Sequence, residues 1–310
     1  MNDKNIETDG ELIFLDLLRI IWLGKWVIGA FAGLLAFVVA IYVVLQPNIY
    51  RAEVFLAPNL DADSGGLSGL VDQYGGLAGL AGVQLGSGSR DKTQLGLSIL
   101  RSRKFISVFI KNRGILVPLM AAKSWDENSG EVIIDSDVFD TARGEWLRPI
   151  RPPRGVVPSE QEAYEEFLTI LRIRRDAETG FVRISLEHVS PVLAQQWVEW
   201  LVADLNMVAK EWDVSEASQA LEFLNAQLQQ ISLSGLREVF FRLVEDQTKT
   251  IMLANISSEY LLRTIDPAVV PEGKVGPFRT LIVLLALFLG AVAGTVVQVS
   301  RFYFRRFGKD

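Results

Sequence analysis

The sequence predicts an α+β fold in which two transmembrane helices flank one external domain, with a small membrane-proximal sheet and a long distal helical arm. Three observations support this prediction. Two uncharged stretches, 26–45 and 280–300, lie near the two ends of the chain. Residues 50–56 alternate between two faces, which is typical of a strand. Residues 191–231 contain no glycine and repeat apolar residues at helical spacing.

The composition excludes several kinds of functional site. The 310 residues include no cysteine and a single histidine, His188, which excludes disulfides, zinc fingers and sites built from several imidazoles. The net charge of -6 argues against a general nucleic-acid partner, because such proteins usually carry a basic excess. The sequence shows no nucleophile–base pair and no metal-ligand cluster, so we expect no catalytic residue, no metal site and no cofactor.

The two uncharged stretches have the length of membrane spans. They contain 20 and 21 residues, and at about 1.5 Å of rise per residue each reaches roughly 30 Å, the thickness of the hydrocarbon core of a bilayer. The first stretch is longer than the apolar part of a signal peptide, and no cleavage motif follows it. We therefore expect it to remain uncleaved.

Basic residues beside the spans predict the topology. Arg19 and Lys25 precede the first span, and four basic residues follow the second one: Arg301, Arg305, Arg306 and Lys309. Basic flanks stay in the cytoplasm, so we expect both termini there. The predicted order is a cytoplasmic N-terminal segment (1–25), transmembrane helix 1 (26–45), the external domain (46–279), transmembrane helix 2 (280–300) and a cytoplasmic tail (301–310).

Each span contains a pair of glycines at the spacing G-x-x-x-G. The pairs are Gly29 with Gly33 and Gly290 with Gly294. Such a pair leaves one face of a helix smooth, so that another backbone can approach it closely. The sequence predicts helix packing at these positions, either between the two spans of one chain or between neighbouring chains.

Four segments predict the membrane-proximal sheet. Residues 168–174 and 181–188 flank a turn that ends in Gly180, and residues 260–265 form a last strand before the second span. Together with 50–56 they can form one sheet. His188 shares a face with the apolar residues of its strand, so we expect a core or edge histidine rather than a catalytic one.

The helical arm is predicted from residues 191–256. Pro191 suits a helix start, and the sequence Asp213–Glu216 resembles a capping box, so 191–231 forms either one kinked helix or two stacked helices. Ser234-Gly235 is expected to reverse the chain into a returning helix over 236–256. The arm has more large apolar residues than one helix face needs, and we take three tryptophans as candidate oligomer contacts: Trp197, Trp200 and Trp212.

Residues 93–113 predict one amphipathic helix with a basic cluster beside its apolar face. The cluster consists of Arg101, Arg103 and Lys104. It is either a solvated surface or a contact for glycan or for a protein partner. The glycine-rich stretch 61–89 before this helix is expected to be a loop. Its end, 86–93, differs from a phosphate-binding loop at Asp91, which replaces the required glycine, and we reject that function.

The segment before the second span is rich in proline. Proline fixes φ and lacks an N–H donor, so we expect an extended, semi-rigid connector that neither extends the preceding strand nor begins the span early. Four residues define the predicted hinge: Pro267, Pro271, Gly276 and Pro277.

This segment carries a family resemblance. Residues 265–279, I-D-P-A-V-V-P-E-G-K-V-G-P-F-R, run straight into the second span. With two spans and one external domain, the chain resembles the polysaccharide co-polymerases of the Wzz type, which are O-antigen chain-length determinants. The proline-rich segment of the family maps onto Pro267, Pro271 and Pro277, and one proline of the fuller pattern is replaced within 272–275. Further similar features are Tyr50-Arg-Ala, Leu100-Arg-Ser-Arg-Lys-Phe105 and Ser190-Pro-Val-Leu-Ala194.

The resemblance implies a function without an enzymatic activity. It implies a bacterial inner-membrane protein whose domain 46–279 is a periplasmic chain-length-determinant domain and which forms a homo-oligomeric ring. Its implied partners are an integral-membrane O-antigen polymerase and a lipid-linked polysaccharide, most specifically the O-antigen of lipopolysaccharide. Because ten residues follow the second span, we expect the form without a fused cytoplasmic tyrosine kinase.

Two alternatives remain open, and a third is rejected. The rejected one is a two-span sensor, which would need a cytoplasmic output domain that we do not expect ten residues to form. A periplasmic glycan-processing enzyme would need two carboxylates at a defined separation. The membrane adaptor subunit of a split exopolysaccharide or capsule tyrosine-kinase export system would differ only in its partner, and a neighbouring kinase gene would favour it.

Overall fold

The structure is a computed structural model that describes Trp22 and residues 24–59, 92–149, 152–229 and 234–307. The glycine-rich stretch 61–89, and with it most of the sequence at 86–93, lies outside the described residues. The chain divides into two compact units. One consists of Ile49–Lys274, and the other combines Met1–Asn48 with Val275–Asp310.

Helices and strands are numbered here in chain order. The unit formed by the two ends contains α1 (Lys25–Leu45) and α8 (Arg279–Phe307). The middle unit begins with β1 (Ile49–Pro58), α2 (Lys92–Leu100), α3 (Arg103–Arg113), α4 (Leu116–Ala121), β2 (Ala122–Trp125), β3 (Val132–Ile134), β4 (Phe139–Asp140) and β5 (Glu145–Trp146). It continues with α5 (Glu160–Ile170), β6 (Leu171–Arg175), β7 (Val182–His188), α6 (Pro191–Leu228), α7 (Ser234–Ile256) and β8 (Leu262–Asp266), and β9 (Lys274–Gly276) lies at the boundary.

The unit formed by the two ends is a pair of packed helices. Both α1 and α8 are long and apolar enough to cross a membrane. In α1 the buried residues are Ala32, Ala36 and Val43, whereas large apolar side chains such as Phe37 and Leu34 are exposed. Such an outward apolar surface suits a helix pair surrounded by lipid.

The middle unit contains the sheet that the sequence predicts. Antiparallel strands lie side by side in the order β6, β7, β1, β8, with Tyr50 opposite His188 and Leu56 opposite Val182. Ala52, Val54 and Leu56 of β1 point into the core, while the residues between them face outward. The alternation of one short segment therefore sets which face of the sheet is buried.

The first strand of the predicted hairpin starts later than expected. Residues 168–170 belong to α5, so β6 begins only at Leu171. Helix α5 starts with a complete capping box, because the Ser159 hydroxyl accepts from the Glu162 N–H and the Glu162 carboxylate accepts from the Ser159 N–H. The sequence S-E-Q-E at 159–162 carried this signal, which the prediction did not use.

The arm is one uninterrupted helix followed by a returning helix. Helix α6 has 38 residues, begins with Ser190 as its N-cap, and packs along α7. The prediction of a cap at 213–216 is wrong. Asp213 lies inside α6, and its carboxylate accepts hydrogen bonds from Lys92 (2.8 Å) and the Tyr260 hydroxyl (2.6 Å). It therefore joins α6 to neighbouring elements instead of starting a helix.

The segment predicted as one helix over 93–113 is two helices. The break falls at Arg101-Ser102, where the Ser102 hydroxyl caps α3 by accepting from the Phe105 N–H at 3.2 Å. Both helices contribute to the core, through Leu97 and Leu100 in α2 and Phe105 and Phe109 in α3. Capping by serine compensates for the interrupted backbone hydrogen bonds.

Three hairpin turns share the sequence D-x-x-x-G, and the prediction identified one of them. They are 126–130, 140–144 and 176–180. In each turn the aspartate carboxylate accepts from the N–H two residues later, and the glycine N–H donates to the aspartate carbonyl. The glycines have φ of 71°, 70° and 73°, which other residues rarely adopt.

Candidate functional site

The two glycine pairs have different surroundings in the helix pair. A Cβ atom added to Gly290 would lie 2.7 Å from the Ala32 Cα, and one added to Gly294 would lie 2.8 Å from the Ile28 Cα. At Gly29 and Gly33 an added Cβ would meet no heavy atom within 4 Å. The second pair therefore permits close packing of α8 on α1, and the first pair lies on a surface that the described residues leave open.

Arg279 joins the ends of the two apolar helices, a role that the sequence did not indicate. Its guanidinium donates to the Gln46 carbonyl (2.9 Å) and to the Asn48 side-chain oxygen (3.1 Å). These acceptors lie just after α1, and Arg279 is the first residue of α8. Arg279 thus links the segment that follows α1 to the first turn of α8.

The proline-rich segment is partly regular. Pro267 follows β8 directly, and the next residue, Ala268, is buried and accepts from Gln195 Nε2 at 3.4 Å. Pro271 lies in the irregular stretch between β8 and β9. The segment does not extend β8, but Lys274–Gly276 forms a separate short strand, β9, which the sequence prediction did not include. Pro277 stands two residues before α8 and accepts from the Arg279 N–H at 2.9 Å.

The three tryptophans of α6 differ in exposure. Trp197 is fully buried in the core of its own chain, with its ring 4.8 Å from that of His188. It offers no surface to a neighbour, which corrects its place among the candidate oligomer contacts. Trp200 is half-buried, and the Arg113 guanidinium lies over its ring at 5.0 Å. Trp212 is 52% exposed.

Other apolar side chains are exposed along the arm. Beyond Trp212, the buried residues of α6 are Ala217 and Leu224. Five large apolar residues of the arm beyond Trp212 are more than half exposed: Phe223, Val239, Phe241, Met252 and Ile256. Apolar surface of this extent commonly marks an interface.

The basic cluster spans the turn between α2 and α3 and the first residues of α3, and both of its arginines have intramolecular contacts. The Arg101 guanidinium donates to the Ile173 carbonyl of β6 at 3.3 Å. The Arg103 guanidinium lies 5.7 Å from the Tyr164 ring, and the Tyr164 hydroxyl donates to the Arg101 carbonyl at 3.1 Å. Lys104 is exposed. The cluster therefore contributes to packing as well as to surface charge.

His188 is a buried structural residue, as expected from its strand. Its Nδ1 accepts from the Ser190 N–H (3.0 Å), and its Nε2–H donates to the Pro118 carbonyl (3.0 Å). Burial lowers the pKa of His188 and favours the neutral ring. Within the described ranges, no group of three His, Asp or Glu residues is arranged to hold a metal ion.

The charged pair formed by Arg148 and Glu162 is structural. Arg148 donates to both Glu162 carboxylate oxygens, at 3.1 and 3.0 Å, and also to the carbonyls of Gly155 and Val156. The Arg148 hydrogen bonds and the Ser159 N–H lower the pKa of Glu162 to about 2. The pair fixes the loop before α5, and we assign it no catalytic role.

Comparison with known proteins gives similarity in structure only. No family model matches the sequence, and no curated protein sequence matches it. Among the solved structures that match, one is described as a full-length bacterial polysaccharide co-polymerase. The TM-score is 0.38 and the sequence identity is 12%, and the alignment covers 96% of this chain and 99% of the other. A bacterial polysaccharide co-polymerase is thus among the solved proteins to which this chain is similar.

Proposed function

We propose that this chain is a non-enzymatic polysaccharide co-polymerase of the Wzz type. In this proposal it regulates the chain-length distribution of a lipid-linked polysaccharide, most specifically lipopolysaccharide O-antigen, together with an integral-membrane polymerase. The observation that carries the proposal is the order of elements. A helix of spanning length, a first strand, a long helical arm, a last strand, a proline-rich segment and a second helix of spanning length follow one another.

The proposed location is the bacterial inner membrane, with residues 46–279 in the periplasm and both termini in the cytoplasm. The basic residues that flank the spans support this orientation. The close packing of α8 on α1 at Gly290 and Gly294 supports a paired arrangement of the two spans.

The proposed assembly is a homo-oligomeric ring. Two surfaces of the chain support self-association. The arm exposes large apolar side chains, among them Trp212, Phe223 and Phe241, and α1 leaves the face of Gly29 and Gly33 open. In the membrane, small residues permit close approach of a helix from a neighbouring chain. Outside the membrane, apolar contact between arms supplies the driving force.

The proposed mechanism is geometric. A regulator without chemistry of its own acts by holding a polymerase and its product in a fixed relation, which requires a rigid domain and a defined attachment to the membrane. The strands β6, β7, β1 and β8 and the helix α6 supply the rigid domain, because they share one core. The segment Pro267–Pro277 supplies the attachment, since proline restricts the backbone conformations of the connector.

Reconstitution of polymerisation tests the proposal directly. The polymerase, the lipid-linked repeat unit and this chain would be combined in proteoliposomes, and the product lengths resolved on a gel. We expect a broad length distribution with the polymerase alone, a defined modal length when this chain is added, and no product from this chain alone. A distribution that stays the same after its addition, or product formed without the polymerase, would contradict the proposal.

A further inference from the structure

The outer face of the sheet carries a row of cationic and aromatic side chains. In the antiparallel pairing Arg174 of β6 lies opposite Arg183 of β7, and Arg183 lies opposite Phe55 of β1. All three face away from the core, because their strand neighbours Val54, Val182 and Ile184 are buried. This row was not among the predicted site residues. The alternating run L-R-I-R-R at 171–175 indicates that arginines share one face of the strand.

Two residues of the row are held in place by neighbours. Arg183 donates to Glu53 at 2.6 Å, and its guanidinium lies over the Phe55 ring at 5.0 Å. Phe55 in turn contacts Phe181 edge to face, with ring centroids 5.4 Å apart. The two rings and one guanidinium therefore form a preorganised surface, which binds a ligand at a smaller entropic cost than mobile side chains would.

Arg174 has a different environment. The Arg174 side chain is exposed, and it forms no hydrogen bond or ion pair with the residues that the structure describes. Glu53 offsets the charge of Arg183, whereas Arg174 has no carboxylate partner among the described residues. An anion bound beside Arg174 would supply that partner.

The row borders a groove of about 460 Å³. Three arginines line it together with both phenylalanines and two residues of the turn at 176–180. The carboxylate in the lining, Asp176, accepts from the N–H groups of Glu178 and Thr179 at 2.9 Å each and stays ionised. Together with Glu53, which pairs with Arg183, it leaves the three arginines in excess over two carboxylates. The groove is thus locally cationic on a chain whose net charge is -6.

The combination of groups selects a class of ligand. Arginine binds carboxylates through paired N–H donors, and an aromatic ring offers a flat apolar surface to the C–H face of a sugar. Arg172 shares the outer face with Arg174, about 7 Å along the strand, so a polymer with repeated anionic groups can contact more than one arginine. A single lipid headgroup would use neither the rings nor this repeat.

We propose that the groove formed by Phe55, Arg174, Phe181 and Arg183 binds a segment of an anionic polysaccharide whose sugars carry carboxylates. This inference rests on the proposed function and deepens it, because it names the substrate class and the contact site. Contact with growing glycan at this surface would let the external domain hold the product while the polymerase extends it.

Binding to defined oligosaccharides tests the inference on the full-length protein in detergent micelles. The probes are a fluorescent oligogalacturonate and a neutral dextran oligosaccharide of equal length. We expect binding of oligogalacturonate that weakens at high salt, and at least tenfold weaker binding of dextran. Arg174→Gln should weaken oligogalacturonate binding about tenfold. Arg143→Gln, which removes an exposed arginine from the turn between β4 and β5, should leave it unchanged.

Three results would overturn the inference. One is equal binding of both probes, and another is equal loss in the two arginine variants. The third is displacement of oligogalacturonate by phosphatidylglycerol vesicles to the same degree as by unlabelled oligogalacturonate, which would assign the groove to membrane lipid. The reconstituted polymerisation experiment distinguishes failure of the glycan-binding inference from failure of the proposed function. A chain that sets a modal length but binds neither probe would retain its function and lose only this site.

Discussion

At the scale of single residues, Asn206 shows how the core accommodates a polar side chain. It is buried in α6, where its oxygen accepts from the N–H groups of Leu261 and Leu262 and its nitrogen donates to the Leu262 carbonyl. The amide therefore satisfies three backbone groups where the chain enters β8. Helical spacing in the sequence placed this position near an apolar face but gave no sign of these partners.

Replacing Asn206 by leucine should destabilise the middle unit, Ile49–Lys274, by about 2–4 kcal/mol, because buried backbone groups would lose their hydrogen bonds. Thermal unfolding of the solubilised protein would measure the effect. Asn225→Leu is the matched control, since Asn225 is exposed on the same helix. Equal unfolding temperatures for the two variants would show that the Asn206 hydrogen bonds do not contribute to stability.

Glu162 gives the domain a defined response to acid. Its pKa is about 2 in the folded chain and ordinarily 4.5. As the pH falls below 4.5 the unfolded chain takes up the proton first, so the stabilisation is complete above that pH and is lost as the pH approaches 2. Glu162→Gln should cost roughly 1–3 kcal/mol at pH 7, and the difference from the wild type should shrink in acid. A difference that is independent of pH from 7 to 3 would refute this assignment.

At the scale of elements, the two glycine pairs predict opposite outcomes. Valine at Gly290 and Gly294 should separate α8 from α1, because each new Cβ would lie within 3 Å of the α1 backbone. We expect a large loss of folded protein in detergent. Valine at Gly29 and Gly33 is the matched control, and should leave the folded yield unchanged while weakening oligomers detected by sedimentation. Equal folded yields from both double variants would contradict the packing described here.

The sequence predicted long elements better than short ones. The alternation over 50–56 and 182–186 determined the buried face of the sheet, and the absence of glycine over 191–231 indicated the long helix. The hairpins of β2 with β3 and of β4 with β5 were missed, because strands of two to four residues are too short to show a period. Their turns repeat the D-x-x-x-G sequence, which would have located them.

The candidate contacts were predictable only in part. Spacing identified Trp197, Trp200 and Trp212 as members of one helix, but which face of that helix meets the sheet depends on distant segments. Trp197 packs against His188, and Trp212 remains exposed. The cationic row also depends on the register between β7 and β1. These strands are far apart in the sequence, so no local pattern specifies their pairing.

At the scale of the whole molecule, the proline-rich segment is where the chain passes from one compact unit to the other, between Lys274 and Val275. Changing Pro271 and Pro277 together to alanine should broaden the glycan length distribution, because a freer connector lets the external domain vary its position. Normal protein level and an unchanged unfolding temperature would show that the domain remains folded. Pro153→Ala, in an exposed loop, is the control. An unchanged length distribution would reduce the segment to a passive linker.

The central claim is that this chain determines the length of a surface polysaccharide. The most direct measurement is the length distribution on a gel of polysaccharide from cells that lack the gene, with and without the full chain restored at its normal level. We predict that the modal length disappears in the deletion strain and returns when the chain is restored. The total amount of polysaccharide should stay nearly the same. The same distribution in both strains, or loss of the polysaccharide itself rather than of its modal length, would contradict it.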